Sequence, residues 1–162
     1  MPIQQPLCPS CSPYAHPIVC VSKPNGEVRI CADLRQVNSG TIDDRYPMAR
    51  PDELLQRMAP ASFITTLDCA AGYHQIRMKP EHTHKTAFVT HSGAYEYLVM
   101  PFGAEGASMT FQRCIDTILG PQCATFAHAY IDDTACYSNN FATHLQHLEQ
   151  VLMAFKTAGM TL

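Results

Sequence analysis

Three aspartates occupy positions from which carboxylates can act together. Asp68 closes the β-branched run Phe63-Ile-Thr-Thr-Leu67, and Asp132 and Asp133 sit side by side within Ala129-Tyr-Ile-Asp-Asp-Thr-Ala135. Successive strand residues point to opposite faces, so one of the adjacent acids can join Asp68 on a common surface while the other flanks it. Converging carboxylates repel one another until a cation binds, and hard divalent ions take oxygen ligands of this kind. Two Mg2+ ions about 3.5–4 Å apart would clamp the attacking and leaving oxygens of an in-line phosphoryl displacement. Taken alone, an Asp-Asp pair is also what a solvated Asx-type turn presents, and spacing by itself favours that simpler account. After Asp68, Cys69-Ala70-Ala71-Gly72 is small-residue backbone that a ligand can approach closely.

Other chemistry-bearing groups are less specific. The eight cysteines are even in number, but no basic-then-apolar leader precedes them, so reduced, mostly buried thiols are expected rather than a disulfide framework. Cys8-Pro-Ser-Cys11 has the spacing of half a zinc site, yet no second close pair follows. A small redox or zinc module built on it is the weakest of the readings. His144 and His147 could share a helix face, but no third ligand is evident and a solvated or capping role is expected; His82 and His84 lie in a polar turn.

The acids need elements to hold them. Residues 1–17 carry five of the twelve prolines and no periodicity, an extended lead-in. Ile18–Ser22 and Val28–Ala32 flank Lys23-Pro-Asn-Gly26, and Asn-Gly between two β-rich runs predicts a hairpin. Residues 33–50 alternate polar and turn types. Pro51–Met58, with Pro first and acids in the first turn, predicts a short helix. Strands are predicted at Thr86–Thr90, Tyr95–Val99, Thr125–Tyr130 and Thr134–Ser138. Helices are predicted over Gly103–Leu119, from the spacing of Ala107, Phe111, Ile115, Ile118 and Leu119, and over Ala142–Thr157, with Gly159 as the stop. Strands and helices interleave without a regular βαβ beat, which predicts an α+β fold.

Composition bounds the rest. The chain has 162 residues, 46% of them hydrophobic and 15% charged, enough for a core and too little charge for a disordered polyelectrolyte. No apolar run approaches the roughly 18 residues of a membrane span, so a soluble, non-secreted protein without membrane contact is expected. The net charge of −3 argues against a domain that grips nucleic acid unaided.

Blocks in fixed order give a family resemblance. Leu67-Asp-Cys-Ala-Ala-Gly-Tyr-His-Gln-Ile-Arg-Met78, Lys85–Phe88, Tyr97-Leu-Val-Met-Pro-Phe-Gly103, Thr110–Arg113 and Tyr130-Ile-Asp-Asp133 resemble the reverse transcriptase domain of gypsy-type long-terminal-repeat retrotransposons and their retroviral relatives. Ser12–Pro17, Arg29–Asn38 and Arg45–Pro47 resemble the same family's fingers region. The resemblance covers residues 9–162 and implies a polymerase palm with a fingers hairpin: fingers over 18–62, palm over 63–162, with fingers elements interleaved around 80–110. It implies RNA-directed DNA polymerase activity with two Mg2+ or Mn2+ ions. Asp68, Asp132 and Asp133 would be catalytic and metal-binding, with the Cys69 carbonyl as a further metal ligand. Lys23 and Arg29 would hold the nucleotide triphosphate. Cys69, Ala70, Ala71, Gly72 and Phe102 would line the nucleotide pocket, and Tyr73 would stack under the sugar and exclude a 2′-hydroxyl; a buried tyrosine is the plain alternative. Gly103, opening the following helix, Gln112 and Tyr130 would meet template or primer, though a helix-surface glutamine accounts for Gln112 as well. The implied partners are an RNA or DNA template with primer, deoxynucleoside triphosphates, and the thumb, RNase H and other Pol domains of a longer polyprotein. The implied location is intracellular, cytoplasmic or particle-associated.

The sequence departs from the family in two places. After Gly103 the family usually continues Leu, polar, Asn, Ala, Pro, whereas here Ala104-Glu-Gly-Ala-Ser108 brings an acid and a helix-weakening glycine. Lys23 is followed by Pro24 where further lysines are common. These departures keep open a second reading, a decayed or domesticated domain without catalysis that binds nucleic acid or a protein partner.

Overall fold

Eight strands and five helices form among residues 6–22, 26–42 and 44–162, which a computed structural model describes. The mixture is the expected α+β. The chain divides into two compact units, Met1–Asp43 with Tyr73–Ala107, and Asp44–Gly72 with Ser108–Leu162. Residues 44–62 thus group with the strand that ends at Asp68.

In the first unit, β1 (Leu7–Pro9) pairs with β6 (Gly93–Tyr97), which pairs with β5 (Phe88–Thr90), all antiparallel. The lead-in is therefore not structureless. Its Pro9 is tolerated because β1 is an edge strand, where a missing N–H costs no ladder bond. β2 (Ile18–Ser22) and β3 (Val28–Ala32) form the expected hairpin, in register from Ile18 opposite Ala32 to Ser22 opposite Val28, with Gly26 at φ 84° in the turn. The β5–β6 hairpin is shorter than expected and shifted. Thr86 is diverted from the strand because its hydroxyl donates to the Thr83 carbonyl and accepts from Tyr97 N–H. Among its described residues the polar stretch 33–50 holds one short helix, α1 (Arg35–Asn38). Ala32, Leu34, Phe88 and Tyr97 form a buried cluster.

In the second unit, β4 (Phe63–Asp68), β8 (Asp133–Ser138) and β7 (Ala127–Tyr130) form an antiparallel sheet in the order β4-β8-β7. α2 (Pro51–Met58) begins on proline, carries Asp52 and Glu53 in its first turn and Arg57 in its last, and so suits the helix dipole at both ends. α3 (Pro80–Thr83) belongs to the first unit. α4 (Ala107–Cys123) buries Phe111, Ile115 and Leu119, one per turn, and its regular part ends where Gly120 adopts φ 59° before Pro121. α5 (Phe141–Ala158) packs on β8 and β4 and buries Val151 and Phe155. Its Asn140 cap accepts from Ala142 and Thr143 N–H, and Gly159 closes it at φ 73°, as the sequence predicts.

Of the two histidines of α5, His144 is buried and His147 half-buried. His144 is 5% exposed and shares hydrogen bonds with Thr65 (2.8 Å) and Ser138 (3.2 Å), while His147 bonds Ser138 (2.8 Å) and stacks on Phe126. They tie α5 to β4 and β8. All eight cysteines are free; Cys69, Cys123 and Cys136 are buried, whereas Cys11 and Cys20 are exposed. Among the described residues no helix is long and apolar enough to cross a membrane.

Candidate active site

The three aspartates lie at one end of the β4-β8-β7 sheet. β4 and β8 pair from Phe63 opposite Ser138 to Asp68 opposite Asp133. Directly opposed residues of an antiparallel pair lie on the same face, so register alone brings Asp68 and Asp133 together. Asp133 is also opposite Tyr130, which leaves Ile131 and Asp132 as a two-residue hairpin turn between β7 and β8. Cys69 N–H donates to the Asp132 carbonyl (3.4 Å), tying the loop after β4 to that turn. Asp68 and Asp133 are exposed and Asp132 is half-buried. Among the described residues no Lys or Arg forms an ion pair with Asp68 or Asp133.

The loop after Asp68 is tightly built. Gly72 N–H donates to the Cys69 carbonyl (3.2 Å), leaving that oxygen a second lone pair. A Cβ placed on Gly72 would stand 2.8 Å from Asp132 Oδ1, 3.2 Å from its Cγ and 3.4 Å from Phe111 Cζ, so only glycine allows the loop this close to the carboxylate. Ala71, at φ 53°, and Ile131, at φ 55°, are the non-glycine residues with positive φ among those described, and both sit in this site.

The donor set suits a hard divalent ion. Cys69 is buried, and burial, followed by the charges of Asp132 and Asp68, pushes its thiol up to about 11. Asp68, Asp132, Asp133 and the Cys69 carbonyl offer oxygen donors, the kind that Mg2+ and Mn2+ take. Among the described residues no group of three or more His, Cys, Asp and Glu side chains is arranged to hold a metal ion.

The remaining expected site residues fall in different places. Gln112, on α4, is 4% exposed, neither reaching outward nor lying on the helix surface. Its Oε1 accepts from Ile131 N–H (2.8 Å), and its Nε2 donates to the Ala129 carbonyl and to Asp116 Oδ1 (both 3.0 Å). The amide is thus committed to the turn that carries Asp132. The helical spacing identifies Gln112 as part of α4 but gives no sign of this role. Tyr130, at the end of β7, is 38% exposed. In the first unit, Tyr73 and Phe102 are half-buried with ring centroids 5.3 Å apart, and His74 meets Phe102 edge-on at 4.9 Å. Gly103 does not open a helix: it stands exposed at φ 84° in the loop before α4, its carbonyl accepting from Asn38 Nδ2. Lys23 lies outside the described residues, and Arg29 is placed on β3 by its backbone.

Residues 21–162 match the family model described as reverse transcriptase (RNA-dependent DNA polymerase). The chain belongs to the reverse transcriptase family. The match begins in β2 and takes in every strand of the carboxylate-bearing sheet. The chain is 40% identical over 156 residues to the retrovirus-related Pol polyprotein from transposon 297 of Drosophila melanogaster, covering 93% of the chain and 15% of the relative. It is 38% identical over 158 residues to that of transposon gypsy from the same organism, covering 94% and 15%. The chain thus spans about 15% of the length of these relatives. Among solved structures it resembles a prototype foamy virus protease-reverse transcriptase, with TM-score 0.87 and 26% identity over 96% of the chain and 21% of the neighbour. It also resembles the foamy viral protease-reverse transcriptase in complex with dsDNA, with TM-score 0.88, 22% identity and coverage of 96% and 32%. The fold is therefore the α+β fingers and palm of a right-hand polymerase.

Proposed function

We propose that this chain is the fingers-and-palm core of an RNA-directed DNA polymerase that adds deoxynucleotides to a primer 3′-hydroxyl. The observation that carries the reading is the register that sets Asp68 opposite Asp133, with Asp132 at the turn beside them, in a chain of this family. Asp68, Asp132 and Asp133, with the free lone pair of the Cys69 carbonyl, would hold two Mg2+ or Mn2+ ions. Bound there, the ions supply charge stabilisation at the attacking and leaving oxygens of phosphoryl transfer. The chain's own part is positional: the β4–β8 ladder fixes two carboxylates, the Ile131–Asp132 turn fixes the third, and Gly72 leaves room for backbone beside them.

By the family resemblance, Lys23 and Arg29 of the fingers hairpin would neutralise the triphosphate. Ala70, Ala71, Gly72, Tyr73 and Phe102 would form the nucleotide pocket, with Tyr73 selecting deoxyribose. Gly103 and Tyr130 would face template or primer. The Pol polyproteins that match, and a neighbour captured on dsDNA, support a primed template as partner and a longer polyprotein with thumb and RNase H as the working form. The Ala104–Ser108 departure supports the second reading, a non-catalytic domain that binds nucleic acid or protein, because Glu105 adds negative charge beside Gly103.

Primer extension on an RNA template with Mg2+ or Mn2+ separates the two. The comparison is between this chain, its Asp132→Asn variant and a version extended through a thumb. Extension that Asp132→Asn lowers at least 100-fold supports the polymerase. Folded protein without incorporation in either length supports the non-catalytic domain.

A further inference from the structure

We infer that Gln112, its amide oriented by Asp116, is a positioning residue that holds the Asp132 turn in shape. The inference rests on the reading of Asp132 as a metal-binding carboxylate. Ile131 precedes Asp132 at φ 55°, in the left-handed region that a β-branched side chain resists. A two-residue hairpin turn offers little of its own to hold such a residue. The stabilising contacts come from α4: Gln112 Oε1 accepts from Ile131 N–H at one end of the turn, and Gln112 Nε2 donates to the Ala129 carbonyl in β7. One buried side chain thus spans the last residues of β7 and the first residue of the turn.

The orientation of that amide is dictated by its neighbours. A carboxylate and a carbonyl only accept hydrogen bonds, and a backbone N–H only donates. Asp116 Oδ1 and the Ala129 carbonyl therefore both require the NH2 end of Gln112, which leaves Oε1 for Ile131. Asp116, one turn along α4, is itself fixed through its second oxygen, which accepts from Tyr46 O–H at 2.8 Å. Donation into that carboxylate raises the Tyr46 pKa above its ordinary value. The Arg113 guanidinium sits 5.0 Å from the Tyr46 ring centroid and pairs with Asp44. An ordered chain runs from Tyr46 through Asp116 and Gln112 to Ile131.

The chain of contacts makes an asymmetric prediction. Gln112→Met keeps the volume and removes all three hydrogen bonds. Gln112→Glu keeps the acceptor for Ile131 but sets a second acceptor against Asp116 and the Ala129 carbonyl. Adding Asp116→Asn to Gln112→Glu supplies an amide donor where that repulsion was, and restores part of the arrangement.

The test uses the 162-residue chain. Hydrogen exchange of the Ile131 amide is read by NMR without metal, and Mn2+ affinity by electron paramagnetic resonance at a temperature where every variant is folded. In Gln112→Met and Gln112→Glu, Ile131 exchange is expected to quicken at least tenfold. The Mn2+ dissociation constant of Gln112→Met is expected to rise about tenfold, the loss of roughly one buried hydrogen-bonded contact. The double variant is expected to exchange more slowly than Gln112→Glu alone. Wild-type exchange and Mn2+ affinity in folded Gln112→Met overturn the inference, as does lowered melting temperature with no change at Ile131. If Gln112→Glu does not fold, Gln112→Met and Asp116→Asn carry the test. An Asp132→Asn chain that still binds Mn2+ as wild type refutes the metal reading, while Ile131 exchange continues to test Gln112.

Discussion

Gly72→Ala puts the close approach between the loop after β4 and the Asp132 carboxylate to the sharpest test. Gly72 has no positive φ, so alanine meets no backbone penalty there and the whole effect comes from space. The added methyl would stand 2.8 Å from Asp132 Oδ1 and 3.2 Å from Cγ, with Phe111, fully buried, closing the other side at 3.4 Å. At 3.4 Å Phe111 is in ordinary contact and the overlap falls on the carboxylate, which must give way. Ordinary contact begins near 3.4 Å, which requires a retreat of about 0.6 Å. A catalytic constellation tolerates about 0.5 Å, and a displacement of about 1 Å costs on the order of 100-fold in rate. The expected result is a loss of about 10- to 100-fold in single-turnover primer extension by the thumb-extended form. Weaker Mn2+ binding and an overpacking cost of about 1–3 kcal/mol in urea unfolding are expected with it. A Gly72→Ala protein with wild-type extension, Mn2+ affinity and stability would refute the argument that this contact sets the position of Asp132.

Two further outcomes follow from electrostatics. Asp68 and Asp133 face each other directly across the β4–β8 ladder, and like charges so placed destabilise a sheet. Asp68→Asn should therefore raise the metal-free melting temperature by about 1–2 °C while removing most of the further rise that Mn2+ gives wild type, both read by thermal denaturation. Cys136 in β8 is fully buried, and burial, with a smaller contribution from Cys123, pushes its thiol up to about 11. The unfolded thiol ionises first as pH rises, so stability is unaffected by this group below about pH 9 and falls from there to about pH 11. Urea midpoints across that window should drop less steeply in Cys136→Ala, and an unchanged slope would contradict the assignment.

Much of this was legible in the sequence, and the parts that were not share a cause. The β2–β3 hairpin, α2 and the Gly159 cap were carried by local signals: Asn-Gly between β-rich runs, proline with acids, and glycine after a periodic stretch. The family blocks imply one site of Asp68, Asp132 and Asp133, and the register sets Asp68 opposite Asp133. The misreadings were long-range. Leu7–Pro9 becomes a strand only because β6 lies ready to pair with it. Thr86 leaves its strand because its hydroxyl accepts from Tyr97 N–H. His144 is buried because Thr65 and Ser138, far apart in sequence, supply partners for both ring nitrogens. Gln112 looks like any polar residue on a helix until the turn it bonds is placed beside it. Each depends on a contact that the fold, not the local pattern, brings about.

The two strained residues of the site bear on the choice between a working polymerase and a decayed copy. Ala71 and Ile131 hold positive φ within the two short segments that frame Asp132, at a cost on the order of 1–2 kcal/mol each. Glycine at either position would relieve that cost, so folding stability alone gives no reason for alanine or for a β-branched isoleucine there. At Ile131 the strain is held by a buried glutamine whose three hydrogen bonds all serve the turn or its support. Strain of this kind persists where the surroundings over-determine the backbone, and such surroundings are assembled around chemistry more than around packing. The Ala104–Ser108 segment is the contrasting case. Glu105 N–H and the Gly103 carbonyl bond the Asn38 side chain within the first unit, a local arrangement that the altered sequence satisfies. The departure from the family pattern therefore falls where the fold can absorb it, and the strained, buttressed geometry falls where a metal-dependent reaction would need it.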